Sequence, residues 1–181
     1  MLIVYGAVSE LIKNTPAGED SNQLFREIGL SSDKWILFIL NDNQDPGVAY
    51  AGTHWSLVLF HPTPRRRFLL FDSAQPDEES KMDWKIREFV ERMRTFLLVD
   101  VEWEFEVIQP FEQCPKMGWS GDCGVFVVEY ISAVLEALNR DSTTPSFNLS
   151  HITDEYIERK RVVWKELISK MAEAEKSAGA R

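Results

Sequence analysis

Apolar and polar positions divide the chain into segments of different period. From Val125 to Leu138 the clearly polar residues are Glu129, Ser132 and Glu136, three or four apart. That spacing leaves a narrow polar stripe on an otherwise apolar helix, which is therefore predicted to be mostly buried. Ile86, Phe89, Val90, Met93 and Leu97 recur at helical spacing with charges between them, an amphipathic helix lying on a sheet. Residues 35–40 form an unbroken apolar run that stops at Asn41-Asp42-Asn43, a buried strand by length and flanks. Residues 53–60 and 68–72 read as two more strands, joined through the turn His61-Pro62-Thr63-Pro64 into a hairpin. Glu102, Glu104 and Glu106 alternate with Trp103, Phe105 and Val107 in a half-exposed strand over 101–108. Val8, Leu11 and Ile12 suit one helix face, residues 14–21 a polar loop, and residues 24–28 another helical turn. Thr153 is expected to cap a last helix reaching about Ala174, with Tyr156, Val163, Leu167 and Met171 turned inward. At this length the elements are read as one domain.

Composition narrows the picture. A chain of 181 residues with 44% apolar side chains builds a core without staples. Cys114 and Cys123 make no disulfide framework, which points to a reducing compartment. The first dozen residues lack the basic start and cleavage site of a signal peptide, and no apolar run approaches a membrane span. A formal charge of −9 argues against nonspecific nucleic-acid binding; Arg65-Arg66-Arg67 reads as a solvated loop tip. His61 and His151 read as loop histidines without metal spacing to the cysteines.

The candidate chemistry centres on Cys123. It precedes the buried helix, where unpaired backbone N–H groups and the positive end of the helix dipole favour a thiolate. His54 opens one hairpin strand and Asp72 closes the other, so antiparallel pairing brings both to one sheet end. A helix packed on that sheet can deliver the sulfur to the imidazole. A thiolate–imidazolium pair oriented by a carboxylate supplies a nucleophile and a proton donor for a leaving amine. An oxyanion hole needs the Cys123 backbone N–H plus a side-chain amide, and Gln113 and Gln109 lie just upstream. Each residue also has a plainer reading: Cys123 as a small buried hydrophobe, His54 as a strand histidine, Asp72 as a turn former.

Gly52-Thr53-His54-Trp55-Ser56-Leu57, Phe71-Asp72-Ser73 and Gly121-Asp122-Cys123-Gly124-Val125 resemble the sentrin/SUMO-specific cysteine protease family, which removes ubiquitin-like modifiers. Asn41-Asp42-Asn43, residues 152–157, Lys160-Arg161 and residues 164–168 look like its deneddylase branch. The resemblance implies a papain-like α+β fold: a mixed central sheet, a buried catalytic helix and flanking helices. It implies His54 as general base and acid, Asp72 as its orienter and Cys123 as nucleophile, with no metal or cofactor. Trp55 matches a tryptophan that clamps the modifier's Gly-Gly tail, and Asn41 is expected beside the tail-binding groove. Family members usually carry the oxyanion glutamine six residues before the nucleophile; that place is Met117 here, so Gln113 on a longer loop is the expected donor. The family's N-terminal segment with a Trp-Leu-Asn-Asp motif has no counterpart, so residues 1–181 are expected to be a single protease domain without it. The implied partner is a ubiquitin-like modifier of the neddylation type and its conjugates, with no nucleic acid and no membrane. A monomer in the cytoplasm or nucleus is the accompanying expectation. A relative that binds a modifier without cutting it, and an acyltransferase on the same triad, are the competing readings.

Overall fold

The computed structural model describes residues 1–16, 18–43, 45, 48, 52–62, 67–74, 81–97, 108–110, 114–118 and 121–179. In chain order the elements are β1 (Leu2–Val4), α1 (Gly6–Asn14), α2 (Glu19–Glu27), β2 (Ile36–Asn41), β3 (Trp55–His61), β4 (Arg67–Phe71), α3 (Lys81–Leu97), β5 (Ile108–Pro110), α4 (Cys123–Arg140) and α5 (Asp154–Gly179). Among the described residues the sheet has five strands in the order β1-β2-β3-β4-β5. The outer pairs, β1–β2 and β4–β5, are parallel, while β2–β3 and β3–β4 are antiparallel. The sheet is thus mixed, with the predicted hairpin at its centre.

Period-two alternation places the core on both faces. Leu37, Leu57, Leu59, Leu69 and Phe71 point to one side and pack with Phe126, Val127, Tyr130 and Val134 of α4. Ile36, Phe38, Leu40, Val58, Phe60 and Phe68 point to the other and pack with Ile12 of α1, Phe25 of α2, and Phe89, Val90 and Met93 of α3. A strand buried on both faces needs apolar residues throughout, which is why residues 35–40 show no alternation. Each fully buried aliphatic or phenyl group contributes roughly 1.5–3 kcal/mol. Fold and layering are those of a papain-like α+β protein.

Several expectations are corrected. β1 was not legible as a strand, and α1 and α2 extend well beyond the short helical turns predicted, α2 starting inside the expected 14–21 loop. His61 is the last residue of β3, buried, with its ring 4.0 Å from that of Trp35; it is a core histidine, not a loop one. The strand expected over 101–108 lies mostly outside the described residues, and β5 occupies residues assigned partly to the following loop. Thr153 does cap α5, its hydroxyl accepting the Tyr156 N–H at 3.2 Å. Val163, Leu167 and Met171 do not face inward, however; they are 55%, 43% and 61% exposed. The α4–α5 contact is made earlier in α5, around Glu129. That carboxylate is 2% exposed and accepts the Tyr156 hydroxyl at 2.7 Å and Trp164 Nε1 at 2.9 Å, with Lys160 Nζ at 3.3 Å. A buried carboxylate so paired fixes α5 on α4, and removing its partners would cost about 3–5 kcal/mol.

Candidate active site

The local sequence puts Cys123 at the first position of α4. Gly121 adopts a left-handed φ of +65°, which a side chain would resist, and Asp122 takes the N-cap place. Met117 Sδ accepts the Asp122 N–H at 3.1 Å, and the Asp122 carboxylate, 4% exposed, pairs with Arg161 of α5. The turn that presents the sulfur is therefore tied to the loop before it and to α5. Cys123 itself is 5% exposed.

His54 and Asp72 stand just outside the ends of β3 and β4, at the sheet end expected from antiparallel pairing. Asp72 Oδ1 lies 2.6 Å from His54 Nε2, and both side chains are mostly buried. Asp72 also accepts the Ala74 N–H at 2.8 Å, and Ser56 Oγ approaches its second oxygen at 3.4 Å. Cys123 lies close enough to the same imidazole for each to shift the other's titration. With Nε2 committed to the carboxylate, Nδ1 is the nitrogen left for the sulfur.

The electrostatics follow from this contact. Burial alone would lower the His54 pKa, but its hydrogen bonds to Asp72 and Cys123 outweigh burial and raise it to about 10. Burial works against the Cys123 thiolate. His54 and the backbone N–H groups of Trp55 and Gly124 overcome it and hold the thiol below its ordinary value. Burial likewise opposes ionisation of Asp72, yet the imidazolium, the Ala74 N–H and Lys116 keep its carboxyl below the usual range. Both shifts favour the proton on nitrogen and the negative charge on sulfur.

Trp55 follows His54 and lies across the site mouth between two glycines. Its Cδ1 is 4.0 Å from where a β-carbon on Gly124 would sit, and its Cζ3 only 3.0 Å from one on Gly6. The indole crowds the Gly6 position, while at Gly124 it would make only ordinary contact with a β-carbon. Asn41 lies against the His54 backbone, and its side chain is buried and engaged: Nδ2 donates to the His54 carbonyl at 2.9 Å and Oδ1 accepts the Asn43 N–H at 2.9 Å. A β-carbon on Gly52 would lie 1.7 Å from Asn41 Oδ1, so only glycine leaves this amide its place. Trp35 is buried and donates to the Ser142 carbonyl at 3.2 Å, away from any clamp role. Gln113 lies outside the described residues, and Gln109 falls in β5. Reasoning from sequence missed Lys13, Asp42 and Arg161, whose partners are distant in the chain.

A cysteine at a helix tip, near an imidazole and carboxylate from a sheet end, is the arrangement of papain-like thiol proteases. Residues 25–176 match the Ulp1 protease family, C-terminal catalytic domain, and the chain belongs to that family. It is a cysteine-type protease of ubiquitin-like proteins. Sentrin-specific protease 8 of Rattus norvegicus is 27% identical over 177 residues, covering 94% of this chain and 73% of that protein. The Homo sapiens protein of that name is 26% identical over 171 residues, covering 91% and 72%. A probable sentrin-specific protease 8 of Dictyostelium discoideum is 28% identical over 120 residues, covering 64% and 46%.

Proposed function

We propose that this protein is a thiol isopeptidase and processing protease that cleaves after the C-terminal Gly-Gly of a ubiquitin-like modifier, in deneddylation. The observation that carries the reading is the shared imidazole: His54 meets Asp72 at 2.6 Å, and its titration is coupled to Cys123 at the tip of α4. In this mechanism the Cys123 thiolate attacks the glycine carbonyl. The tetrahedral oxyanion forms near the α4 N-terminus, where the Cys123 N–H is available to it. The His54 imidazolium gives its proton to the leaving amine, and a thioester remains on Cys123. Neutral His54 then takes a proton from a water whose oxygen adds to the thioester carbonyl; the C–S bond breaks, the modifier leaves with a free carboxylate, and the Cys123 thiolate and His54 imidazolium are restored. Asp72 keeps the ring oriented and charged. Trp55 flanks the tail, which suits a substrate ending in glycines, since any larger residue would meet the indole. Gln113 remains the proposed side-chain donor to the oxyanion.

The deneddylase branch is supported by Asn41-Asp42-Asn43, by the Gly-Thr-His-Trp-Ser-Leu motif, and by the likeness of the last helix. The test uses a panel of ubiquitin-like modifiers, each carrying a C-terminal fluorophore, with wild type and Cys123→Ala. Hydrolysis of the neddylation modifier ahead of the others, absent in Cys123→Ala, supports the proposal. Preference for another modifier would move the branch and keep the chemistry. Tight modifier binding, with neither turnover nor labelling of Cys123 by a tail-bearing electrophile, would support the non-cutting relative; Met117 in place of the usual glutamine is what favours that outcome.

A further inference from the structure

His54 stands one residue before β3, yet both of its backbone polar groups are held. Its N–H donates to Asp42 Oδ1 at 2.9 Å, and its carbonyl accepts the Asp42 N–H at 3.1 Å and Asn41 Nδ2 at 2.9 Å. The same Asp42 carboxylate accepts the Thr53 N–H at 2.6 Å and the Thr53 hydroxyl at 2.8 Å. Burial opposes its charge, and these donors still bring its carboxyl below the ordinary range. Asn41 and Asp42 thus grip the main chain from which the imidazole projects.

That grip is only as firm as the backbone of Asn41–Asn43, and α1 fixes it. Lys13 Nζ donates to the Asn41 carbonyl at 2.8 Å, to the Asn43 carbonyl at 2.8 Å and to the Glu10 carboxylate at 2.7 Å. An ammonium has three protons, and these acceptors use all of them. The Lys13 side chain is 8% exposed, so its charge is tolerated only because it is fully paired. Glu10 also accepts the Asn41 N–H at 3.4 Å. α1 is itself anchored, because Arg92 of α3 donates to the Ile12 carbonyl at 3.0 Å and the Lys13 carbonyl at 2.6 Å.

We propose that Lys13 is a positioning residue for His54: its ammonium locks the Asn41–Asn43 backbone, and Asn41 and Asp42 pass that constraint to the His54 main chain. The inference rests on His54 being the base partner of Cys123. It assigns work to a lysine outside the triad, on a different element, which touches neither sulfur nor imidazole. A staple that merely joined α1 to β2 would change stability alone. A positioning residue must also change how the imidazole meets the sulfur.

The experiment measures the rate of Cys123 alkylation by iodoacetamide against pH, read by peptide mass spectrometry on the full chain, together with kcat and KM. The main variant is the pair Lys13→Met with Glu10→Gln, which leaves no carboxylate unpaired; Asp42→Asn is the second. Leu97→Ala, a buried α3 residue outside the relay, serves as the control for lost stability. The expected result for both relay variants is an inflection moved up by about one pH unit, toward an ordinary thiol, and a kcat about tenfold lower with KM within about threefold. Leu97→Ala leaves the inflection in place. The proposal is overturned if folded relay variants keep the wild-type profile and kcat, or if Leu97→Ala shifts the profile as much as they do. If the Lys13 variant fails to fold, an unshifted profile in Asp42→Asn overturns it equally. A wild-type inflection no lower than that of an ordinary thiol is a different failure: it removes the His54–Cys123 pair itself, and this inference with it.

Discussion

His54 and His61 flank one strand, and their surroundings drive them in opposite directions. His54 meets a carboxylate and a thiol, and its pKa rises to about 10. His61 is pushed below 6.5, first by burial and then by the nearby Arg67 charge, with its ring against Trp35. Residue type, strand and hairpin are shared; the partners differ. Burial acts the same way on both rings, so the anionic partners at His54 are what reverse the sign. A histidine in this sheet becomes chemical only where the hairpin and the α4 tip converge.

The largest test of that contrast removes the sulfur. Cys123→Ala is expected to abolish modifier–fluorophore hydrolysis, a loss of about 10³-fold or more, while His61→Phe remains active. Next is the carboxylate. Asp72→Asn keeps the shape but withdraws the charge, and kcat is expected to fall about 100-fold or more. The same change should lower the His54 pKa, making that end of the strand more like the other.

The pH dependence of kcat/KM separates the ends more finely. Activity is expected to rise through an acid limb below the ordinary thiol range, as Cys123 ionises, and to fall through an alkaline limb near 10, as His54 loses its proton. The limbs belong to the coupled pair, and His54→Ala should remove both. Global stability barely reports this pair. Raising the His54 pKa contributes stability that is lost as pH rises from 6.5 toward about 10, while lowering the Cys123 pKa contributes stability that is lost as pH falls below its unfolded value of 9.0. The two slopes have opposite signs, so where they overlap each offsets the other. His61 shifts the other way. Its neutral form is favoured, so its contribution is complete above 6.5 and is lost as pH falls toward the lowered folded value. His61→Phe should therefore flatten the acid side of a stability–pH curve. It is also the mildest change to function, with kcat/KM expected within about twofold of wild type, as for a substitution away from the site.

The sequence carried the contrast unevenly. The α4 helix, the central hairpin and the shared sheet end of His54 and Asp72 were legible, because local period and antiparallel pairing suffice for them. His61 was misread, because proline follows it in the turn and nothing local shows that its ring lies on Trp35, far upstream. Lys13 was invisible as a functional residue for the same reason: its acceptors at Asn41 and Asn43 lie 28 and 30 residues away. Asp122 and Arg161 are 39 apart. The α5 error has a different origin. Val163, Leu167 and Met171 keep helical apolar spacing, and spacing reports a face without reporting whether anything covers it. For Asn41, no sequence pattern could tell that its amide holds the His54 backbone.

The most direct measurement is a histidine ring NMR titration of the intact protein, following the His54 and His61 signals in wild type and Cys123→Ala. The account predicts that wild-type His54 stays protonated well past neutrality, titrating near 10, that its midpoint drops when the sulfur is removed, and that His61 titrates below 6.5 in both. A wild-type His54 that titrates at or below 6.5, unmoved by Cys123→Ala, would contradict the ion pair on which the mechanism depends.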